Sequence, residues 1–328
     1  MSHFVSAVDC RYIASEFAGV FVVLSDPDPA RAEVALVETN TAHALPLVKE
    51  RLQSLGVSPE QVRAVVVTHA HLDHAGGVGT AMKEFTNAKL YAHPRAARHL
   101  IDPSRLVASA RGVYGDEVFR ELYGEILPVD AARVQIVQDG ETVRFGGGEW
   151  FFRHVRGHAN HHFVLFDPAA QAVFTGDSFG LAYPSLQGKN RQLFVLPSSS
   201  PTDFDPAAAI ESVHLIVTEA KKLGCNRACL THFGEVSDLE GAEQQLVADL
   251  QFYQRLLLAV RQGSLPSEDA ASAVRLRLDD YYRERCEREG LEWGEKEWAT
   301  LDLDLKLNAQ GIVWSAQKSE TSEQTSRG

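Results

Sequence analysis

The stretch AVVVTHAHLDHAGG, from Ala64 to Gly77, sets three histidines and an aspartate in the six residues that follow a β-branched run. The run itself, Val62–Thr68, is continuous and apolar, as expected of a strand buried on both faces. Imidazoles crowded at the end of such a strand add nothing to packing and suit metal coordination. In extended backbone His69 and His71 project to one side. Leu72 is then expected to point into the core, with Asp73 and His74 aimed at a second position. The turn through Ala75-Gly76-Gly77 lets the backbone pass close to the site.

The same placement recurs along the chain. His158 follows WFFRHVRG, Asp177 closes AVFTG and His232 follows RACLT. Each sits just past an apolar β segment, where side chains leave the core and loops converge. Neutral imidazole with carboxylate suits zinc, with manganese or iron as alternatives.

Around these points the pattern alternates between short strands and helices. Gly19–Leu24 and Val34–Glu38 read as strands, and Ala42–Leu55 reads as a helix stopped by Gly56. Residues 103–125 read as a helical insertion. ETVRF and EWFFRHV flank a glycine turn, and HFVLF-DPAAQ-AVFTGD reads as a hairpin. Asp205-Pro206 starts a helix that reaches Leu223. Residues 241–314 carry helical patterns only, and residues 315–328 are polar and expected to be disordered. The expected division is therefore 1–240, 241–314 and 315–328.

The chain has 328 residues, 45% of them hydrophobic, enough for one large core with an appendage. No apolar run approaches the ~20 residues that cross a bilayer. The N-terminus lacks a basic stretch followed by an apolar segment, so the cytoplasm is the expected location. A formal net charge of −12 disfavours a nucleic-acid partner. Cys10, Cys225, Cys229 and Cys286 have no zinc-ribbon or redox spacing.

THAHLDHAGG, RGHANHH (156–162), FTGDSF (174–179) and LTHFG (230–234) resemble, in order, the four motifs of the metallo-β-lactamase-fold hydrolases. The resemblance implies an α+β fold of αββα type: a four-layer sandwich of two mixed β-sheets flanked by helices, here with a helical C-terminal extension. It implies two divalent metal ions, with His69, His71 and His158 on the first, Asp73, His74 and His232 on the second, and Asp177 bridging them. Residues 1–240 would form the catalytic domain. VETN (37–40) replaces the family's aspartate-threonine-glycine turn, with Glu38 in the supporting hydrogen-bond role and Asn40 left-handed in place of glycine. His71 stands where the oxygen-reducing diiron relatives carry glutamate, which favours zinc hydrolysis over redox chemistry. The ligand set and the helical C-terminal part resemble glyoxalase II, but THFGEV departs from that enzyme's last motif and its glutathione-binding motif has no match.

The implied reaction is hydrolysis of an ester, thioester, lactone or similar carbonyl bond of a small molecule. A water shared by two cations is the nucleophile, with Asp73 orienting it. In the long connection 178–201, Phe179, Tyr183 and Phe194 are candidates for an apolar substrate wall, or else packing residues. The insertion, with Tyr114, Phe119 and Tyr123, is a candidate lid together with the C-terminal helices, or else its aromatics are ordinary packing residues, the reading that is favoured. One of His161 and His162, but not both, is expected beside the ligands, because strand alternation sends them to opposite faces. Helical surfaces offer a route to a homodimer. Two other functions fit the same ligands: a ligand-binding regulatory effector, and a nuclease or phosphodiesterase, which would need a basic track that the sequence lacks.

Overall fold

The computed structural model describes residues 2–189, 192–265 and 269–325. Two six-stranded sheets lie among them. The first contains β1 (Phe4–Asp9), β2 (Gly19–Leu24), β3 (Val34–Val37), β4 (Val62–Val66), β5 (Lys89–Ala92) and β6 (Val134–Ile136) in sequential order. Its first two pairings are antiparallel and the rest parallel. The second runs β7 (Thr142–Phe145), β8 (Gly148–Val155), β9 (His162–Asp167), β10 (Ala172–Gly176), β11 (Arg227–Leu230) and β12 (Gly234–Val236). It is antiparallel except for β10 against β11. Both sheets are mixed, as expected.

Strand periodicity builds the layers. In β2, Phe21 and Val23 face the second sheet, while Val20, Val22 and Leu24 face helices. In β9, Phe163 and Leu165 enter the inter-sheet core with Trp150, Phe152 and Phe174, while Val164 and Phe166 turn outward. Outside the first sheet lie α1 (Leu45–Ser54), α2 (Leu72–Ala75), α3 (Val78–Glu84) and α4 (Pro94–Ile101). Residues 103–125 form two helices, α5 (Ser104–Tyr114) and α6 (Asp116–Tyr123).

Outside the second sheet lies α7 (Pro206–Leu223), whose N-terminal amides from Ala207 and Ala208 donate to the Asp205 carboxylate and whose C-terminus closes on left-handed Gly224. Beyond it pack α8 (Leu239–Arg261), α9 (Ala270–Glu289) and α10 (Glu295–Thr325). These helices share one apolar cluster with the outer face of β9–β11.

Two expectations change here. Helix α10 continues through residues assigned to the polar tail as far as Thr325, because Ala316 extends the buried stripe of Leu301, Leu305, Ala309 and Ile312. Of that tail only residues 326–328 lie outside the described residues. Leu72 does not join the main core; it packs under the insertion against Phe119 and Tyr123.

Candidate metal centre

Strand β4 delivers Thr68 and His69 to its C-terminal end, and α2 begins at once, so Asp73 and His74 come from a helical turn. His158 follows β8, Asp177 follows β10 and His232 follows β11. All seven meet between the sheet ends in three overlapping groups, each with ligand atoms within 4.8 Å: His69, His71 and His158; His69, His74 and Asp177; Asp73, His74 and His232.

In the first group His71 Nδ1 lies 2.9 Å from His69 Nε2 and 3.0 Å from His158 Nε2. Zinc–nitrogen bonds of ~2.0–2.1 Å in tetrahedral geometry separate nitrogens by about 3.3 Å, close to this spacing. In the third group His232 Nε2 is 3.3 Å from Asp73 Oδ2. Asp177 divides its oxygens between the groups: Oδ2 lies 3.4 Å from His158, and Oδ1 lies 3.1 Å from His74 and 3.7 Å from His232.

The donor set fits a pair of divalent cations. His74 Nε2 and Asp177 Oδ1, both buried, face each other at 3.1 Å without a hydrogen bond, aimed at a shared centre. The remaining ring nitrogens hold the imidazoles in one tautomer. Nδ1–H of His74 donates to Glu38, that of His158 to the Ser198 carbonyl and that of His232 to the Phe17 carbonyl. His69 Nδ1–H donates to the Thr68 hydroxyl, which donates in turn to Glu38 at 2.5 Å. Nε2 is left facing the centre in all four rings. Glu38 takes the supporting role expected of it, and both Glu38 and Asn40 have positive φ, at 69° and 51°.

Burial pushes His69 and His71 well below the ordinary histidine range, and the neighbouring imidazoles push further, so both rings are neutral lone-pair donors. Burial opposes charge on His232 too, yet Asp177 and Asp73 raise it to about 9. His74 is raised likewise, by Asp177, Asp73 and Glu38 against its own burial. Both carboxylates are held below their usual range: burial alone would raise them, and the facing imidazoles outweigh it. In the metal-free chain His74 and His232 thus carry protons beside the two carboxylates, positive charge that a bound dication would replace.

His161 and His162 both adjoin the site. His162 stacks on His69 at 4.5 Å and accepts from the Asp177 amide, and His161 accepts from the Ala70 amide. Strand alternation does not separate them, because β9 starts only at His162. Gly176 is required by this crowding: it has φ +48°, and a Cβ there would collide with Thr68 Oγ1 and the His162 ring.

Phe179, Tyr183 and Phe194 do not form an open wall; all three are fully buried in the cluster beneath the C-terminal helices. Tyr183 stacks on Phe17 at 4.8 Å and donates to Asp304 of α10. Thr68, whose role the motif does not mark, and Ser198, Asp304 and Tyr12, which belong to no motif, complete the surroundings; Tyr12 packs on Tyr123 of the insertion. Asp73 is 28% exposed and His71 is half-buried, while His69, His74, His158, Asp177 and His232 are at most 6% exposed, so solvent reaches the centre over Asp73 and His71.

Residues 28–213 match the family model described as the metallo-beta-lactamase superfamily; the match ends before His232. A hydroxyacylglutathione hydrolase from Serratia proteamaculans (strain 568) is 25% identical over 227 residues, 67% of this chain and 68% of that one. Another from Synechococcus sp. (strain JA-3-3Ab) is 26% identical over 224 residues, 67% and 72% of the two chains. In structure the chain is similar to a metallo-beta-lactamase family protein from Thermus thermophilus, with TM-score 0.60, 18% identity and coverage of 98% and 94%. It is also similar to an archaeal superfamily protein from Sulfolobus tokodaii, with TM-score 0.58, 18% identity and coverage of 94% and 97%.

Proposed function

The chain belongs to the metallo-beta-lactamase superfamily and is a metal-dependent hydrolase, and from that premise we propose that it cleaves an ester, thioester or lactone bond of a small molecule. The observation that carries this reading is Asp177, whose two oxygens are shared between two imidazole groups. When bound, a pair of divalent cations, zinc in this proposal, lowers the pKa of water toward neutrality and polarises a carbonyl oxygen. His69, His71 and His158 would hold one cation and Asp73, His74 and His232 the other, with Asp177 placed between the two sets. Asp73, the most open of the carboxylates, would orient the attacking water with the oxygen that does not face His232. The substrate enters on that side, past Tyr12 and the α5–α6 pair, which acts as a lid. The curated relatives named as hydroxyacylglutathione hydrolases support the thioester class. The chain's excess of acidic residues supports a small substrate over a polyanion.

A panel of chromogenic esters, thioesters, lactones and phosphodiesters, run with metal analysis of the purified protein, tests the reading. Turnover of a carbonyl substrate is expected to stop with chelator and return with zinc, and Asp177→Ala should abolish it. Full activity of Asp177→Ala in metal-free buffer overturns the mechanism, and turnover confined to phosphodiesters overturns the substrate class.

A further inference from the structure

We infer that the C-terminal helices set the geometry of the metal centre through one short strap, Leu196–Ser200, with Asn308 of α10 as the positioning residue. The inference rests on the reading of His158 and Asp177 as ligands.

On its inner side the strap touches both. The Ser198 hydroxyl donates to Asp177 Oδ2 at 3.0 Å, and the Ser198 carbonyl accepts from His158 Nδ1 at 3.3 Å. The Ser200 hydroxyl donates to the His158 backbone carbonyl at 2.9 Å. One residue therefore fixes the tautomer of an imidazole and one oxygen of the shared carboxylate.

On its outer side, among the described residues, the strap meets no strand to hold it beyond the bridge from Leu196 to Leu181. The buried side-chain amide of Asn308 does that work instead. It accepts from the Ser199 amide at 2.9 Å and donates to the Pro197 carbonyl at 2.9 Å, gripping the residues on either side of Ser198. The same amide is 3.0 Å from the Tyr253 hydroxyl of α8. The amide presents an acceptor oxygen and a donor nitrogen side by side, one for each neighbour of Ser198. Helix and strap also touch without clearance: a Cβ on Gly311 would lie 2.5 Å from Ser199 Oγ. A ligand cluster needs support within about 0.5 Å of its working geometry, and loss of such outer partners costs roughly 10–100-fold in metal affinity.

The test measures zinc affinity by competition with a chromophoric chelator, and records the visible spectrum of the cobalt-loaded protein. Asn308→Ala and Ser198→Ala should each weaken zinc binding by about tenfold and shift the cobalt spectrum. Because Asn308 acts through Ser198, the double variant should be no weaker than the weaker single. Ser198→Thr, which keeps the hydroxyl, should restore the parental values. Gly311→Ala should also lower affinity, although alanine is the better helix former; if Asn308→Ala does not fold, this variant decides. Leu278→Ala, in the apolar interior of α9, should lower the unfolding midpoint and leave affinity and spectrum unchanged.

Parental affinity in Asn308→Ala, additive losses in the double variant, or an equal loss in Leu278→Ala overturns the inference. His158→Ala and Asp177→Asn separate it from the ligand reading: zinc binding at parental strength in those two overturns the reading itself, whereas their loss beside an unaffected Asn308→Ala overturns the strap alone.

Discussion

Glu38 holds the centre together from beneath, collecting Thr68, Thr231 and His74 at one buried carboxylate. Replacing it with glutamine turns an acceptor oxygen into a donor amide that faces other donors. Glu38→Gln should therefore weaken metal binding by roughly 10–100-fold, measured by chelator competition; parental affinity would refute its role. Asp304 has the opposite character. Burial drives its pKa up from 3.8 to about 7, against the pull of His232, and its Oδ2 has no hydrogen-bond partner. The folded metal-free chain thus keeps a proton that the unfolded chain has released, so Asp304 favours the fold at acid pH and that contribution is lost as pH rises from about 4 to about 7. Asp304→Asn should gain in melting temperature relative to the parent across that window and hold the difference above it. Parallel curves would exclude the effect. The ligands themselves were legible because histidine and aspartate after an apolar run have few packing uses. Thr68, Ser198 and Asn308 were not, since a hydroxyl or amide acquires its role only from what the fold brings opposite it.

Among the elements, the buried strands β2, β4, β9 and β10 announce themselves by apolar runs, whereas β1, β5, β6 and β12 pass unnoticed in sequence. These are three to six residues long, and β6 and β12 lie at sheet edges where one side meets no neighbour. The C-terminal part of α10 is hidden for a different reason: Ala316 fills its buried place with too little apolar bulk to mark a stripe. The joint between α8 and α9 depends on a buried ion pair, Arg285 with Asp249 at 2.6 Å, with the Tyr281 and Tyr282 hydroxyls donating to the same carboxylate. Arg285→Leu strands that carboxylate and should cost about 3–5 kcal/mol in urea unfolding. Adding Asp249→Leu should recover most of the loss; a double variant as unstable as the single would refute this account.

For the molecule as a whole, the two sheets place their strand ends at one rim, so binding a cation there adds a link between segments distant in sequence. Ligands that bind only the folded state stabilise it by about 4 kcal/mol at a thousand times Kd. Stripping the metal should lower the melting temperature by roughly 5–10 °C, and stoichiometric zinc should restore it. An unchanged melting temperature would mean that no ion bridges these segments. The ligands are also far apart along the chain, which matters during synthesis. A chain leaving the ribosome presents His69–His74 long before His232 has been made, and Asn308 emerges later still. Ion capture at full strength therefore waits until His232 and then Asn308 have been made, so that loading distinguishes molecules that carry the C-terminal helices from products shortened before them.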